Sequence, residues 1–140
     1  KLITTNIELF LDYCKRFYDR QFITREHINS NVVANFETLL LNYLNSEKPK
    51  EIGFPMVQYF ADQLNFSANY FGDLIKKETG HTAQDYIQKK VIGVAKERIF
   101  DVDKSISEIA YELGFKYPQH FTRLFKKRVG MSPKVYRNLN

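Results

Sequence analysis

Residues 105–137 read SISEIAYELGFKYPQHFTRLFKKRVGMSPKVYR, and three helix starts are packed into this stretch. Ser105-Ile106-Ser107-Glu108 matches a capping box, in which a Ser hydroxyl and a Glu carboxylate satisfy the free amides of a first turn. Ile109, Ala110 and Leu113 recur at helical spacing as an inner face, and Gly114 closes that helix. Pro118 suits the first position of the next helix, where its missing amide proton does no harm. Phe121, Leu124 and Phe125 form the second inner face, which leaves Gln119, His120, Thr122, Arg123 and Lys126 outward or flanking. Gly130 ends this helix, and Ser132-Pro133 opens a short one carrying Val135 and Tyr136. Two short helices joined by a tight glycine turn make a helix-turn-helix.

Charge is distributed unevenly around this stretch. Residues 104–140 carry eight Lys/Arg against two Asp/Glu. Residues 51–103 carry six against eight, and residues 1–50 seven against six. The net charge of +5 is therefore concentrated in the C-terminal part, as suits a polyanionic partner. A solvated basic surface gives the same count, so charge alone does not decide.

Moving upstream, residues 51–103 repeat the pattern. Pro55 is placed for a first helical turn, and Val57, Phe60, Ala61 and Leu64 make a short inner face. Asn65 tolerates the left-handed conformation a tight turn needs, and Ser67 is a candidate N-cap. Phe71, Leu74 and Ile75 follow on a helix that Gly80 ends. Ala61, Leu64 and Phe66 match Ala110, Leu113 and Phe115; Phe71, Leu74, Lys76, Lys77, Gly80 and Tyr86 match Phe121, Leu124, Lys126, Lys127, Gly130 and Tyr136. One fold is thus expected twice, at about residues 56–80 and 105–130. Between the units, Thr82 caps a longer helix expected to reach Phe100, with Tyr86, Ile87, Val91, Val94, Ala95 and Ile99 inward. Gly93 within it costs up to about 1 kcal/mol against Ala, so a close packing contact is expected there.

Residues 1–50 carry two more amphipathic patterns. Thr5-Asn6-Ile7-Glu8 matches a capping box ahead of Phe10, Tyr13, Cys14, Phe17 and Tyr18. A second helix is expected from about Asn31, with Val33, Phe36, Leu40, Tyr43 and Leu44 as its stripe and Asn45 to Pro49 as its stop. Two such helices cannot bury both stripes alone. They must pack on the C-terminal part, on a further domain or on a second copy. The beginning at Lys1 suggests a fragment of a longer protein.

The residues then resemble a known family. Ile109-Ala110-Tyr111-Glu112-Leu113-Gly114-Phe115, His120-Phe121-Thr122-Arg123-Leu124-Phe125-Lys126-Lys127, Gly130-Met131-Ser132-Pro133 and Tyr136-Arg137 resemble the C-terminal signature of AraC/XylS-type transcription regulators. The resemblance covers about residues 55–137. It implies an all-α fold with two helix-turn-helix subdomains joined by a long helix, each second helix entering a major groove of DNA. On that basis residues 51–140 form the DNA-binding domain. Residues 1–50 form a helical connector or dimerisation segment leading from a sensor domain.

Carried over by position, the first reading helix would present Ala68, Asn69, Gly72, Asp73 and Lys76, and the second Pro118, Gln119, His120, Thr122, Arg123 and Lys126. Arg123 suits guanine O6/N7 and Gln119 adenine N6/N7, with His120, Thr122, Asn69 and Asp73 as the other candidate base readers. Lys76, Lys77, Lys116, Lys126 and Lys127 suit phosphates, which set position and affinity but not sequence. Gly72 and Asp73 depart from the polar or basic residues common in the family, and Val91 stands where Arg is common. The implied partners are double-stranded DNA, RNA polymerase and a second copy held through residues 1–50 or the sensor domain.

Other classes find little support. The three His are scattered, no nucleophile motif or Gly-rich phosphate loop occurs, and Cys14 is alone, so neither an enzyme, a disulfide nor a cofactor is expected. His27 and His81 lack partners at metal-ligand spacing. No apolar run nears the roughly 20 residues of a membrane span, and the cytoplasm is the expected compartment. The competing reading is a helical protein-interaction or dimerisation module whose basic face binds nucleic acid without sequence preference.

Overall fold

A computed structural model describes residues 28–139. Among them lie eight helices: α1 (28–44), α2 (Lys48–Glu51), α3 (Val57–Gln63), α4 (Ala68–Thr79), α5 (Ala83–Arg98), α6 (Ile106–Glu112), α7 (Pro118–Val129) and α8 (Pro133–Arg137). The helix expected from the Thr5–Glu8 capping box, with Cys14 on its stripe, lies outside the described residues.

Helix α1 already runs at residue 28, ahead of the expected start near Asn31. Val32 joins Phe36, Leu40, Tyr43 and Leu44 on its buried face, and Val33 packs half-buried against the same core. Of the three partners open to this stripe, it meets the C-terminal part. The Phe36 ring stands 5.4 Å from Phe60, 4.9 Å from Phe71 and 5.1 Å from Tyr86, so α1, α3, α4 and α5 share one aromatic centre. That core runs across the division expected at residue 50. Lys90 Nζ donates to Glu37 Oε1 at 2.7 Å and clamps α5 to α1 from outside. Pro49 does not merely stop α1; it is buried near the start of the single-turn α2, which packs on α6.

Local signals set the element ends. Ser67, Thr82, Ser105 and Ser132 accept from Tyr70, Asp85, Glu108 and Val135 amides, each satisfying one free donor of a first turn. Asn65 turns left-handed at φ 63°, and Gly80 and Gly130 cap α4 and α7 at φ 78° and 93°. Pro55 falls short of its expected place in α3, because Met56 is the N-cap; Pro55 is buried in the loop before it. Helix α5 stops at Arg98, two residues before Phe100. Its 16 residues form a rod of about 24 Å, and its buried side, Ile87, Val91, Ile92 and Ala95, faces both units.

Gly93 does not make the close packing contact expected of it. It is exposed, and a Cβ built there would meet nothing within 4 Å, so no packing contact explains it. Close approach occurs instead at Gly114, at φ 93°, where a Cβ would stand 2.6 Å from the Gly53 carbonyl carbon and the Phe54 nitrogen. Phe54 continues the contact, its ring centre 4.9 Å from that of Phe115 with the planes inclined at 59°. Tyr43 Oη donates to the Gly53 carbonyl at 2.7 Å and fixes the loop from the α1 side. The two units are therefore joined through the Gly53–Phe54 loop as well as through α5.

In the second unit Phe115, Phe121, Phe125 and Tyr136 form a chain of ring contacts at 5.3, 5.8 and 5.5 Å. Arg137 ties its end to α5: Nε donates to Ile99 O at 2.6 Å, and Nη2 to Lys104 O at 2.8 Å and Asp101 O at 3.3 Å. One guanidinium thus gathers three carbonyls of the segment between α5 and α6.

Candidate nucleic-acid interface

Helices α4 and α7 are equivalent elements built from equivalent sequence. Phe71, Leu74 and Ile75 turn α4 onto the first core, and Phe121 and Phe125 turn α7 onto the second. With those faces fixed, residues three and four apart on the far side must share the outward face. On α7 these are Gln119, Arg123 and Lys126; on α4 they are Asn69, Asp73 and Lys76, and all six are exposed. His120 and Lys127 are exposed beside the α7 face, and Thr122 is half-buried at its other edge. Lys77 is exposed on α4, and Lys116 stands in the α6–α7 turn, its Nζ 5.6 Å from the centre of the Tyr117 ring.

Several cations near the two units are committed to partners within the protein. Lys104 pairs with Glu112 at 2.8 Å, Arg98 with Glu112 at 3.8 Å, and Arg128 with Asp85 at 3.1 Å while also donating to Gln88 at 2.7 Å. Arg137 is taken by backbone carbonyls. By contrast, no carboxylate among the described residues lies within ion-pair distance of Lys116, Arg123, Lys126 or Lys127 on the second unit, or of Lys76 or Lys77 on the first. Lys126 and Lys127 sit in the last turn of α7, where they also oppose the negative end of the helix dipole. That local role needs only their position near the helix end. It leaves their ammonium groups open to an external anion.

Tyr70 and Tyr117 were not singled out in the sequence. Tyr70 is 55% exposed on α4, with its ring 5.3 Å from Phe66. Its signal was available, because it matches His120 in the internal repeat. Tyr117 is the N-cap residue of α7, 48% exposed and 5.5 Å from the His120 ring. Aromatic edges thus flank both outward faces.

A basic helical face with aromatic edges and no internal counter-charge can grip a phosphate backbone and present polar side chains to base edges. Among the described residues no group of His, Cys, Asp and Glu could hold a metal ion, and no helix is long and apolar enough to cross a membrane.

Comparison with known proteins agrees with this geometry. Residues 60–139 match the family profile described as a helix-turn-helix domain, HTH_18. The chain is 28% identical over 138 residues to an uncharacterized HTH-type transcriptional regulator, YfiF, of Bacillus subtilis, covering 99% of this chain and 40% of that protein. It is 30% identical over 99 residues to the HTH-type transcriptional activator RhaS of Escherichia coli, covering 71% of this chain and 34% of that one. Among solved structures it is similar to the C-terminal domain of AraT, a response regulator from Geobacillus stearothermophilus. The TM-score is 0.67 at 25% identity, over 78% of this chain and 85% of that one. The chain spans well under half the length of the curated relatives it matches, from 14% to 40% for the first three.

Proposed function

This chain belongs to the AraC-type helix-turn-helix family, and from that premise we propose that it binds double-stranded DNA sequence-specifically and regulates transcription. Helices α4 and α7 each enter a major groove. The observation that carries the reading is the outward face of α7: Arg123, Lys126 and Lys127 have no ion pair among the described residues, whereas the nearby Lys104, Arg128 and Arg137 are tied to the protein. Arg123 grips guanine in a bidentate manner, Gln119 reads adenine, and His120 and Thr122 contact neighbouring base edges. Lys116, Lys126 and Lys127 bind phosphates around the second half-site, and Lys76 and Lys77 around the first. On α4 the base readers are Asn69 and Asp73.

The family is one of DNA-binding regulators and not of enzymes. Recruitment of RNA polymerase follows as a partner proposal. So does self-association through residues 1–50, though not through the stripe of α1, which the first core already occupies. Sedimentation of the full chain against a chain beginning at residue 28 tests this: a monomer in both forms ends the dimer proposal.

DNA binding itself is tested by selecting bound duplexes from random sequence. Two enriched half-sites about one helical turn apart are expected per protein chain. Binding that depends on salt but enriches no sequence would leave only the alternative, a basic module without sequence preference.

A further inference from the structure

Helices α4 and α7 are superimposable by sequence at a displacement of 50, but they differ at two neighbouring positions, one of them by a reversal of charge. Asn69 matches Gln119 and Lys76 matches Lys126, whereas Gly72 stands for Thr122 and Asp73 for Arg123. The Asp73 side chain is exposed and has no ion pair or hydrogen bond among the described residues, although Lys76 and Lys77 lie one turn further on. An ionised carboxylate only accepts hydrogen bonds. Brought against DNA without a donor before it, it meets phosphate repulsion and gains nothing.

The major groove offers two donors, cytosine N4 and adenine N6. Adenine N6 adjoins N7, an acceptor that repels the second carboxylate oxygen. Cytosine presents its amine without an acceptor on the same base. Cytosine is therefore the base that Asp73 fits.

Gly72 supplies an independent observation. It lies inside α4, where glycine weakens a helix. Its backbone is not in the left-handed region, and a Cβ built on it meets nothing within 4 Å, so neither conformation nor packing inside the protein calls for glycine. What a missing Cβ does permit is close approach of the helix backbone to a ligand beside Asp73. The side chain of Asp is short, and a shallow seat for α4 would leave its oxygens away from the base edges.

We infer that the first reading helix takes a cytosine amine on Asp73, with Gly72 seating the α4 backbone close to the bases. The second helix takes guanine on Arg123. The two half-sites then carry bases of opposite hydrogen-bonding sense at the equivalent position, cytosine in the first and guanine in the second. This rests on the DNA-binding reading given above.

The test is selection from random duplex DNA with the full 140-residue chain and with its Asp73→Asn, Gly72→Ala and Gly93→Ala variants. The unchanged chain should enrich cytosine at one position of the first half-site, against guanine at the equivalent position of the second. Asp73→Asn should exchange that cytosine for adenine, with about a tenfold loss of affinity for the cytosine-bearing duplex. Gly72→Ala should lower affinity for that duplex about tenfold while raising the melting temperature by a few degrees. Gly93→Ala, the same change on α5, should raise melting similarly and leave affinity within twofold. Recovery of the guanine half-site with no cytosine at the equivalent position, or a cytosine that persists in Asp73→Asn, overturns the inference and leaves the proposed function standing. Failure to enrich any sequence overturns both.

Discussion

Gly114 lies so close to Gly53 that a Cβ added to it would stand 2.6 Å from the Gly53 carbonyl carbon. Gly53 is in turn held by the Tyr43 hydroxyl at 2.7 Å, so a residue of α1 reaches the turn of the second helix-turn-helix through one intervening glycine. The second unit is thus braced on the loop that introduces the first. The angle between α4 and α7 depends on this contact as well as on α5.

Gly114→Ala should therefore be among the most damaging single-methyl changes in the chain. It adds a left-handed backbone penalty to a backbone clash that no side-chain movement relieves. A loss of about 2–4 kcal/mol in urea denaturation is expected. Wild-type stability would mean that the two loops separate without cost, and the brace would be discarded.

Gly93→Ala should do the reverse. With open space around the position, removing a mid-helix glycine should stabilise the protein by about 0.5–1 kcal/mol. Thermal denaturation reads it directly. A loss of stability would point to a contact at Gly93 that the geometry does not contain.

Arg137→Ala should cost about 1–3 kcal/mol, because the Ile99 and Lys104 carbonyls lose their charged donor. Arg137→Lys should recover only part of it, since one ammonium cannot reproduce the guanidinium fork. Full rescue by Lys would show that the charge, and not the three-way geometry, matters at this corner.

The Glu37–Lys90 pair predicts a pH window. The hydrogen bond from Lys90 and its charge hold the Glu37 carboxyl below its ordinary value of 4.5, and the hydrogen bond to Glu37 holds the Lys90 ammonium above 10.5. A depressed acid stabilises above its unfolded value and loses that contribution as pH falls through the folded one; a raised base does so below its unfolded value and loses it as pH rises. Lys90→Met should therefore cost a few tenths to about 1 kcal/mol at neutral pH, the pair being partly exposed. The cost should fade as pH falls below 4.5 through the depressed Glu37 value, and again as pH rises above 10.5 through the raised Lys90 value. A cost that stays flat from pH 3 to 7 would assign Lys90 a packing role instead.

Much of this fold is legible in the sequence because its signals are local. A Ser or Thr three residues before a free amide, an Asn in a tight turn and a Gly at a helix end act within one turn of the chain, and the repeat doubled each signal. Ser67, Thr82, Asn65 and Gly130 all stand where that reasoning places them. The partner of an apolar stripe is a different kind of fact. The spacing of Phe36 and Leu40 says that they are buried, but not that Phe60 and Phe71 bury them. Glycine is the clearest case. Gly93 and Gly114 look alike as letters, and only the approach of Gly53, 61 positions away from one of them in sequence, separates a costly glycine from a required one. In the sequence Arg137 is only the end of a motif, while its task depends on carbonyls 33 to 38 residues upstream. On the candidate interface the outward face followed from periodicity. Which cations are free followed only from the ion pairs.

The most direct test of base reading by α7 compares Arg123→Ala with Lys127→Ala on a selected duplex and on a scrambled one, across a salt series. Arg123→Ala should lose about 1–3 kcal/mol on the selected duplex while its affinity for the scrambled duplex changes far less. Lys127→Ala should weaken both duplexes together and lower the salt slope by about one. Equal losses on both duplexes for both variants would contradict the account, leaving α7 as a phosphate-binding helix that reads no sequence.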